Sequence, residues 1–278
     1  MAFDMNNFVI DRIVRGVALS QKDDSVLFSI NQIQNASLNC ASESTDAVDA
    51  MGTPIATFYR AKTAEFSAEN ALFDMNLMAT QLGTKKTVAS ADKKVIVPAM
   101  ETFNVAEKAK EGKYVLKHIP LAAPAEIYVL NGDSTFGTKY VKETAASETA
   151  FAYTYNEADK TATISLPTGL QPDAEGKVPD VDVFVMYDYE SEGAVEVVNS
   201  ANNFPQGCRF VMEVLGCDVC NQTDLIYAYL IFNNAKLSPD FDWSIATDGA
   251  HPFSMKAQQD YCDKDKRLFS IVIPEDQE

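Results

Sequence analysis

Between Phe253 and Tyr261 the side chains change character at every second position. Phe253, Met255, Ala257, Gln259 and Tyr261 alternate with Ser254, Lys256, Gln258 and Asp260. A period of two is what a strand with one buried face requires, and a helix cannot use it. Around this segment lie further strand signals. An apolar, aromatic run from Leu225 to Ile231 precedes it, and a second run from Leu268 to Ile273 follows it. The paired Asn233 and Asn234 suit a bend, Ser238-Pro239-Asp240 suits a turn, and Asp248-Gly249 suits another. A short strand is expected around Trp243 and Ile245. The C-terminal part therefore reads as antiparallel strands joined by tight turns.

The same reading extends along the chain. Residues 8–40 read as strands, with Val26, Phe28 and Ile30 alternating with their neighbours. Residues 41–53 are small, polar and acidic, and read as a connecting loop that reaches a neighbouring subunit or is simply a surface loop. Residues 57–66 alternate as a strand. A helix is expected over about 68–82, with Leu72, Met75, Ala79 and Leu82 on one face, Ser67 or Asn70 as cap, and Gly83 at its end. Its methionines read as core filling. Residues 84–113 gather lysines around the strand Val95-Ile96-Val97-Pro98, either as a solvated surface or as a complement to an acidic face of an adjacent subunit. Strands are expected at 114–117, 127–130, 150–155, 161–166 and 181–189, with turns at Asn131-Gly132-Asp133 and at 156–160. This spacing suggests a sandwich or a strongly curved sheet.

Composition removes several function classes. With 46% apolar residues the chain can bury a core. No apolar run is long enough for a membrane span. The N-terminal Met1–Asn7 has neither the basic nor the apolar region of a secretion signal, so folding in a host cytoplasm is expected. The net charge of −17 opposes direct gripping of nucleic acid, which needs Lys and Arg to displace counterions.

Catalytic chemistry finds no constellation. His118 and His251 stand beside or near prolines, without a nucleophile in a recognisable setting, and read as structural. Phosphate-loop and dinucleotide glycine patterns are absent. Cys217-Asp218-Val219-Cys220 is a C-x-x-C, and Cys208 and Cys262 would complete a zinc tetrahedron only if the fold gathered them. The segment reads as a hairpin turn rather than as a metal or redox site. The acidic residues from Asp173 to Glu196 lack a calcium-loop spacing and read as a solvent-facing or lumen-facing surface. No catalytic, cofactor or metal residues are assigned, and no cofactor is expected.

Two stretches carry a family resemblance. The first is Phe232-Asn233-Asn234-Ala235-Lys236-Leu237-Ser238, then Thr247-Asp248-Gly249, then Pro252-Phe253-Ser254-Met255-Lys256-Ala257. The second runs from Thr57 to Asn70. Together they resemble tail tube proteins of tailed bacteriophages. The resemblance implies subunits that associate as rings, usually hexameric, stacked into the hollow tube through which the genome leaves. It implies no catalytic residues.

The expected fold is mainly β, a sandwich or curved-sheet tube fold with one short helix. Residues 1–90 and 200–278 are expected to form the tail-tube-like core, with 91–199 a strand-rich middle region that is an insert or part of the tube. The expected partners are further copies of the chain and other tail proteins (sheath or terminator, baseplate), with genomic DNA passing through an acidic lumen without specific binding. The alternatives are a β-sandwich adhesion module using Tyr153, Tyr155, Tyr187 and Tyr189 as a ligand platform, or another virion component such as a capsid or baseplate protein.

Overall fold

The computed structural model describes residues 7–219, 221–261 and 264–274, with only the backbone of 221 and 222. It is mainly β, in antiparallel curved sheets with two short helices. In chain order the elements begin β1 (Phe8–Ser20), β2 (Val26–Ile30), β3 (Ile33–Val48), β4 (Pro54–Asn70) and α1 (Met75–Gln81). Next come β5 (Thr87–Val88), β6 (Val95–Asn104), α2 (Val105–Lys108), β7 (Lys113–Val115), β8 (Glu126–Leu130) and β9 (Phe136–Glu143). The rest are β10 (Ala150–Asn156), β11 (Thr161–Ser165), β12 (Asp182–Ser191), β13 (Val195–Glu196), β14 (Gly207–Asp218), β15 (Asn221–Leu237), β16 (His251–Ala257) and β17 (Ser270–Val272). They form two compact units. Unit 1 takes the chain up to Lys86 and from Val197 onward, and unit 2 takes Thr87–Glu196.

In unit 1 the strand order is β2-β1-β14-β15-β16-β4-β3, with β17 also pairing β15. The period-two pattern fixes which face turns inward. Along β4, Ala64, Phe66, Ala68 and Asn70 are buried while Glu65 and Ser67 are not. Along β16, His251, Phe253 and Met255 are buried. The sheet curls so that rings from strands far apart in its order meet. Phe66 on β4 lies 5.7 Å from Phe210 on β14, 6.0 Å from Phe232 on β15 and 6.0 Å from Phe253 on β16. Such rings each bury a large apolar area and prefer tilted contacts.

Several local expectations give way here. Strand β4 runs on to Asn70, so the helix is Met75–Gln81 and not 68–82. Asp74 caps it, accepting from the N–H groups of Asn76 and Leu77 at 2.9 and 2.7 Å. The buried helix residues are Leu77, Met78, Ala79 and Gln81, so of the expected face Ala79 is buried while Leu72 is exposed. Gly83 does end the segment, at φ +66, and a Cβ there would strike the backbone of Phe204. Asn233 and Asn234 make no bend. They sit in an unbroken β15, where the pairing shifts between Cys208 and Phe210, and Asn234 Oδ1 accepts from Gln21 Nε2. Residues 238–250 hold no strand around Trp243, and β16 stops at Ala257 rather than at Tyr261.

In unit 2 the order is β6-β12-β8-β9-β10-β11-β7, with a separate β13-β5 pair. Strand β9 was not expected, and it pairs parallel with β10. The two edges, β6 and β7, meet through side chains instead of a backbone ladder. Glu101 on β6 is 3% exposed. It accepts from the Tyr114 hydroxyl at 2.8 Å, from the Lys117 N–H at 3.1 Å and from the Tyr187 hydroxyl. The Phe103 and Tyr114 rings stack beside it at 3.6 Å. Burial and the adjacent carboxylate push both tyrosine hydroxyls well above their ordinary range.

A buried carboxylate with three donors holds that seam, and removing it strands all three. Glu101→Ala is expected to lower stability in urea unfolding by about 3 kcal/mol, and Tyr114→Phe by about 1 kcal/mol.

Candidate assembly surfaces

Residues 41–53 are not a loop. Strands β3 and β4 pair in register from Cys40↔Ala64 outward to Val48↔Pro54. The turn between them is closed by the Asp49 carboxylate, which accepts from the N–H groups of Met51 and Thr53 at 2.8 and 2.9 Å. Every residue from 41 to 63 is exposed. The result is a two-stranded arm projecting about 25 Å beyond the core. Its tip and flanks carry large apolar side chains, with Met51 90%, Ile55 71%, Phe58 57% and Tyr59 73% exposed.

The arm has open edges. β3 is the last strand of its sheet, and β4 pairs with β16 only over residues 65–70. On the opposite side of unit 1, β1, β14 and β15 run together from the core to the Asp218/Asn221 turn. β2 covers only the inner end of β1, at residues 16–19, and Val9 and Ile10 are exposed beyond it. A row of side chains ties these three strands. Glu213 on β14 accepts from Arg15 Nε on β1 at 2.7 Å and from the Tyr229 hydroxyl on β15 at 3.2 Å. Gly216 lets β1 approach closely, since a Cβ there would meet the Val9 carbonyl oxygen at 2.2 Å. Unpaired strand edges with apolar side chains template further pairing.

The residues weighed for chemistry do not converge. Cys208 and Cys217 lie at opposite ends of β14, about 30 Å apart at the rise of a strand. Cys208 is buried in the unit 1 core, and burial pushes its thiol up to about 11. Cys220 and Cys262 lie outside the described residues. Among the described residues, no group of three or more His, Cys, Asp or Glu is arranged to hold a metal. In unit 2 the acidic stretch meets the lysines, with Lys94 Nζ 3.4 Å from Glu190 and 3.5 Å from Glu192. The tyrosines form no shared platform. Tyr187 is in the core on Glu101, Tyr153 packs against that core, and Tyr189 stacks on His118 at 3.9 Å.

His251 is wholly buried. Its Nε2 lies 2.8 Å from Gln81 Oε1, while Gln81 Nε2 donates to the Pro252 carbonyl, so α1 is latched to β16. Phe73 stacks on the imidazole at 5.3 Å, and Trp243, the chain's single tryptophan, stacks on Phe73 at 4.4 Å. The segment around Trp243 is therefore an aromatic cover, not a strand.

A family model spans residues 8–266 of the chain, described as the YomU/Tube protein family. The chain belongs to the YomU/Tube protein family. The match agrees with the resemblance to phage tail tube proteins, a family of structural and not catalytic proteins of the virion tail. No curated protein matches the chain. In this tube-family chain the arm and the open edges are the exposed apolar strand surfaces of unit 1. Sequence reading took 57–66 as a strand but missed its partner at 41–48, whose side chains have no buried face to reveal a strand.

Burial holds the His251 imidazole neutral by lowering its affinity for protons, while the Asp74 carboxylate opposes this. A depressed folded value means that the unfolded chain takes up the proton first. Stability should then be full above about pH 6.5 and fall as the pH drops below it, by up to about 1.4 kcal/mol per unit of difference. In the folded chain Trp243 fluorescence should respond to protonation of this imidazole only below about pH 6.5. A His251→Phe variant should lose this component, and an unchanged pH profile in that variant would contradict the assignment.

Proposed function

We propose that this chain is the subunit of a phage tail tube, whose copies associate side by side into rings that stack into a channel for genomic DNA. The β3–β4 arm carries the reading. An isolated two-stranded ribbon is at best marginally stable in water. This one also exposes Met51, Ile55, Phe58 and Tyr59 along its length. A ribbon of that kind gains from being covered by another copy, and a repeating assembly supplies a cover for every arm. We infer that the arm locks one ring to the next.

Side-by-side closure has its own material in unit 1. The outer edge of β3 and the outer half of β1 are available for pairing across subunits, and a closed ring removes such edges. Unit 1 is read as the tube core and unit 2 as an insert carried by it. A hexameric ring is the expectation that the family resemblance brings. Other tail proteins would contact the ends or outside of the tube.

The charge suits a conduit. A subunit with net charge −17 repels phosphate. The bore is read as net acidic, so that DNA slides without sticking.

The purified chain should give stacked annuli or filaments in negative-stain electron microscopy, and a chain that stays monomeric at high concentration would overturn the reading. Met51→Asp combined with Ile55→Asp should abolish stacking while changing monomer stability by less than about 0.5 kcal/mol, because both sites are solvent-exposed. A cryo-EM map of the tube should show a net acidic bore, and a basic one would contradict the sliding argument.

A further inference from the structure

We propose that the outer face of β6, β12, β8 and β9 in unit 2 is a contact surface for a second copy of this chain, whose lysine-bearing β7 strip lies across it. This rests on the self-assembly reading above, and adds a second interface made by unit 2 itself.

The face is apolar where a solvated sheet should be polar. The inward residues of β12, Val183 and Val185, are fully buried. Its outward residues include Phe184 and Met186, with Met186 opposite Met100 of β6 and Phe184 opposite Tyr128 of β8. Phe136 of β9 joins them, its ring 4.9 Å from Tyr128 and 5.1 Å from Phe184. Met100 is 66% exposed, Ile96 61% and Phe136 59%. A contiguous exposed patch of this kind marks an interaction site.

Charge selects the occupant. On β12 the same outward row carries Asp182 at one end and Asp188 and Glu190 at the other, flanking Phe184 and Met186. The matching partner has an apolar centre between two cations. Unit 2 carries that pattern on β7 and its extension. Tyr114 and Leu116 point into the core, so Lys113, Val115 and Lys117 point out and are exposed. Among the described residues neither lysine forms an ion pair, and neither does Asp188. The lysines stand about 13 Å apart and Asp182 and Asp188 about 20 Å, at the rise of a strand. Lysine stems can splay over the methionines while their ammonium groups reach the carboxylates. A nucleic acid is repelled by the same carboxylates, whereas a second copy is present in equal number wherever this chain assembles.

Charge exchange in the full chain tests this. Lys113→Glu with Lys117→Glu, and separately Asp182→Lys with Asp188→Lys, should each weaken self-association in sedimentation velocity by about ten-fold or more. The four changes together should restore it to within about three-fold of the original. Melting curves on each variant confirm that it is folded, and Met186→Lys provides a further weakening variant that leaves the carboxylates in place. If the original chain polymerises and the reversed variants polymerise equally well, the unit 2 contact is wrong and the tube reading stands. Weakening without recovery in the four-fold variant also overturns the contact. An original chain that never self-associates overturns the tube reading itself.

Discussion

Extended backbone has hydrogen-bonding groups on both sides, and a strand with a partner on only one side leaves half of them to water. Unit 1 meets this constraint most fully in its interior and leaves it open at its periphery. β14 has a ladder on each side, β15 has one with β14 along its length and a second only at 229–231 and 235–237, and the five phenylalanines of the core lie beneath them and their neighbours. The arm is the opposite case. Its ladder from Cys40 to Val48 satisfies one side of each strand, and nothing in unit 1 covers the side chains of 41–63. The open backbone edges and the exposed Ile55, Phe58 and Tyr59 occur on the same ribbon. One covering partner would resolve both, and the proposed assembly supplies one to every arm.

Inside the units, polar groups are treated with the reverse logic. Glu101, Glu213 and Gln81 are each buried and each finds donors or acceptors within its own unit. A buried charge without partners would cost several kcal/mol, so these networks also fix geometry. Glu101 draws two tyrosines and a backbone N–H to one point and thereby sets where β6 and β7 meet. His251 sets where α1 meets β16. Two buried atoms stay without a partner among the described residues, His251 Nδ1 and Asn70 Oδ1, on residues paired across the β16–β4 ladder. Burial resists a proton on the imidazole there.

What could be read from the sequence was whatever had one wet face and one dry face. β16 and β12 announced themselves because Phe253 and Met255, or Val183 and Val185, alternate with exposed neighbours. The first arm strand had no such contrast, since both of its faces meet water, and so 41–53 read as a loop, while 57–66 read as the strand that it is. The helix error has a different origin. Phe66, Ala68 and Asn70 continue the strand period in a stretch where Leu72, Met75 and Ala79 also satisfy a helical one. The ladders that β3 and β16 supply to β4 decide the contest, and those partners are remote in sequence. β9 was missed because of its outward and inward side chains only Phe136 and Tyr140 are large, and they face opposite sides. For the candidate site, the net charge was visible in the sequence. The exposed apolar surfaces were not, because exposure is a property of the fold.

The strong negative charge looks at first like an obstacle to stacking copies of one chain. Screening limits it: at physiological salt a charge is felt over about 8 Å. Only carboxylates near an interface oppose contact, and at the tip of the arm the Asp49 carboxylate is turned to the N–H groups of Met51 and Thr53, beside the apolar Met51 and Ile55. In unit 2 the lysines are not spread evenly but gather before and on β7, while the carboxylates gather on β12. Segregated charge lets a polyanionic subunit present attraction locally and repulsion elsewhere. In the proposed tube that repulsion falls to the bore, where a passing DNA comes within the same screening distance of the wall and meets carboxylates.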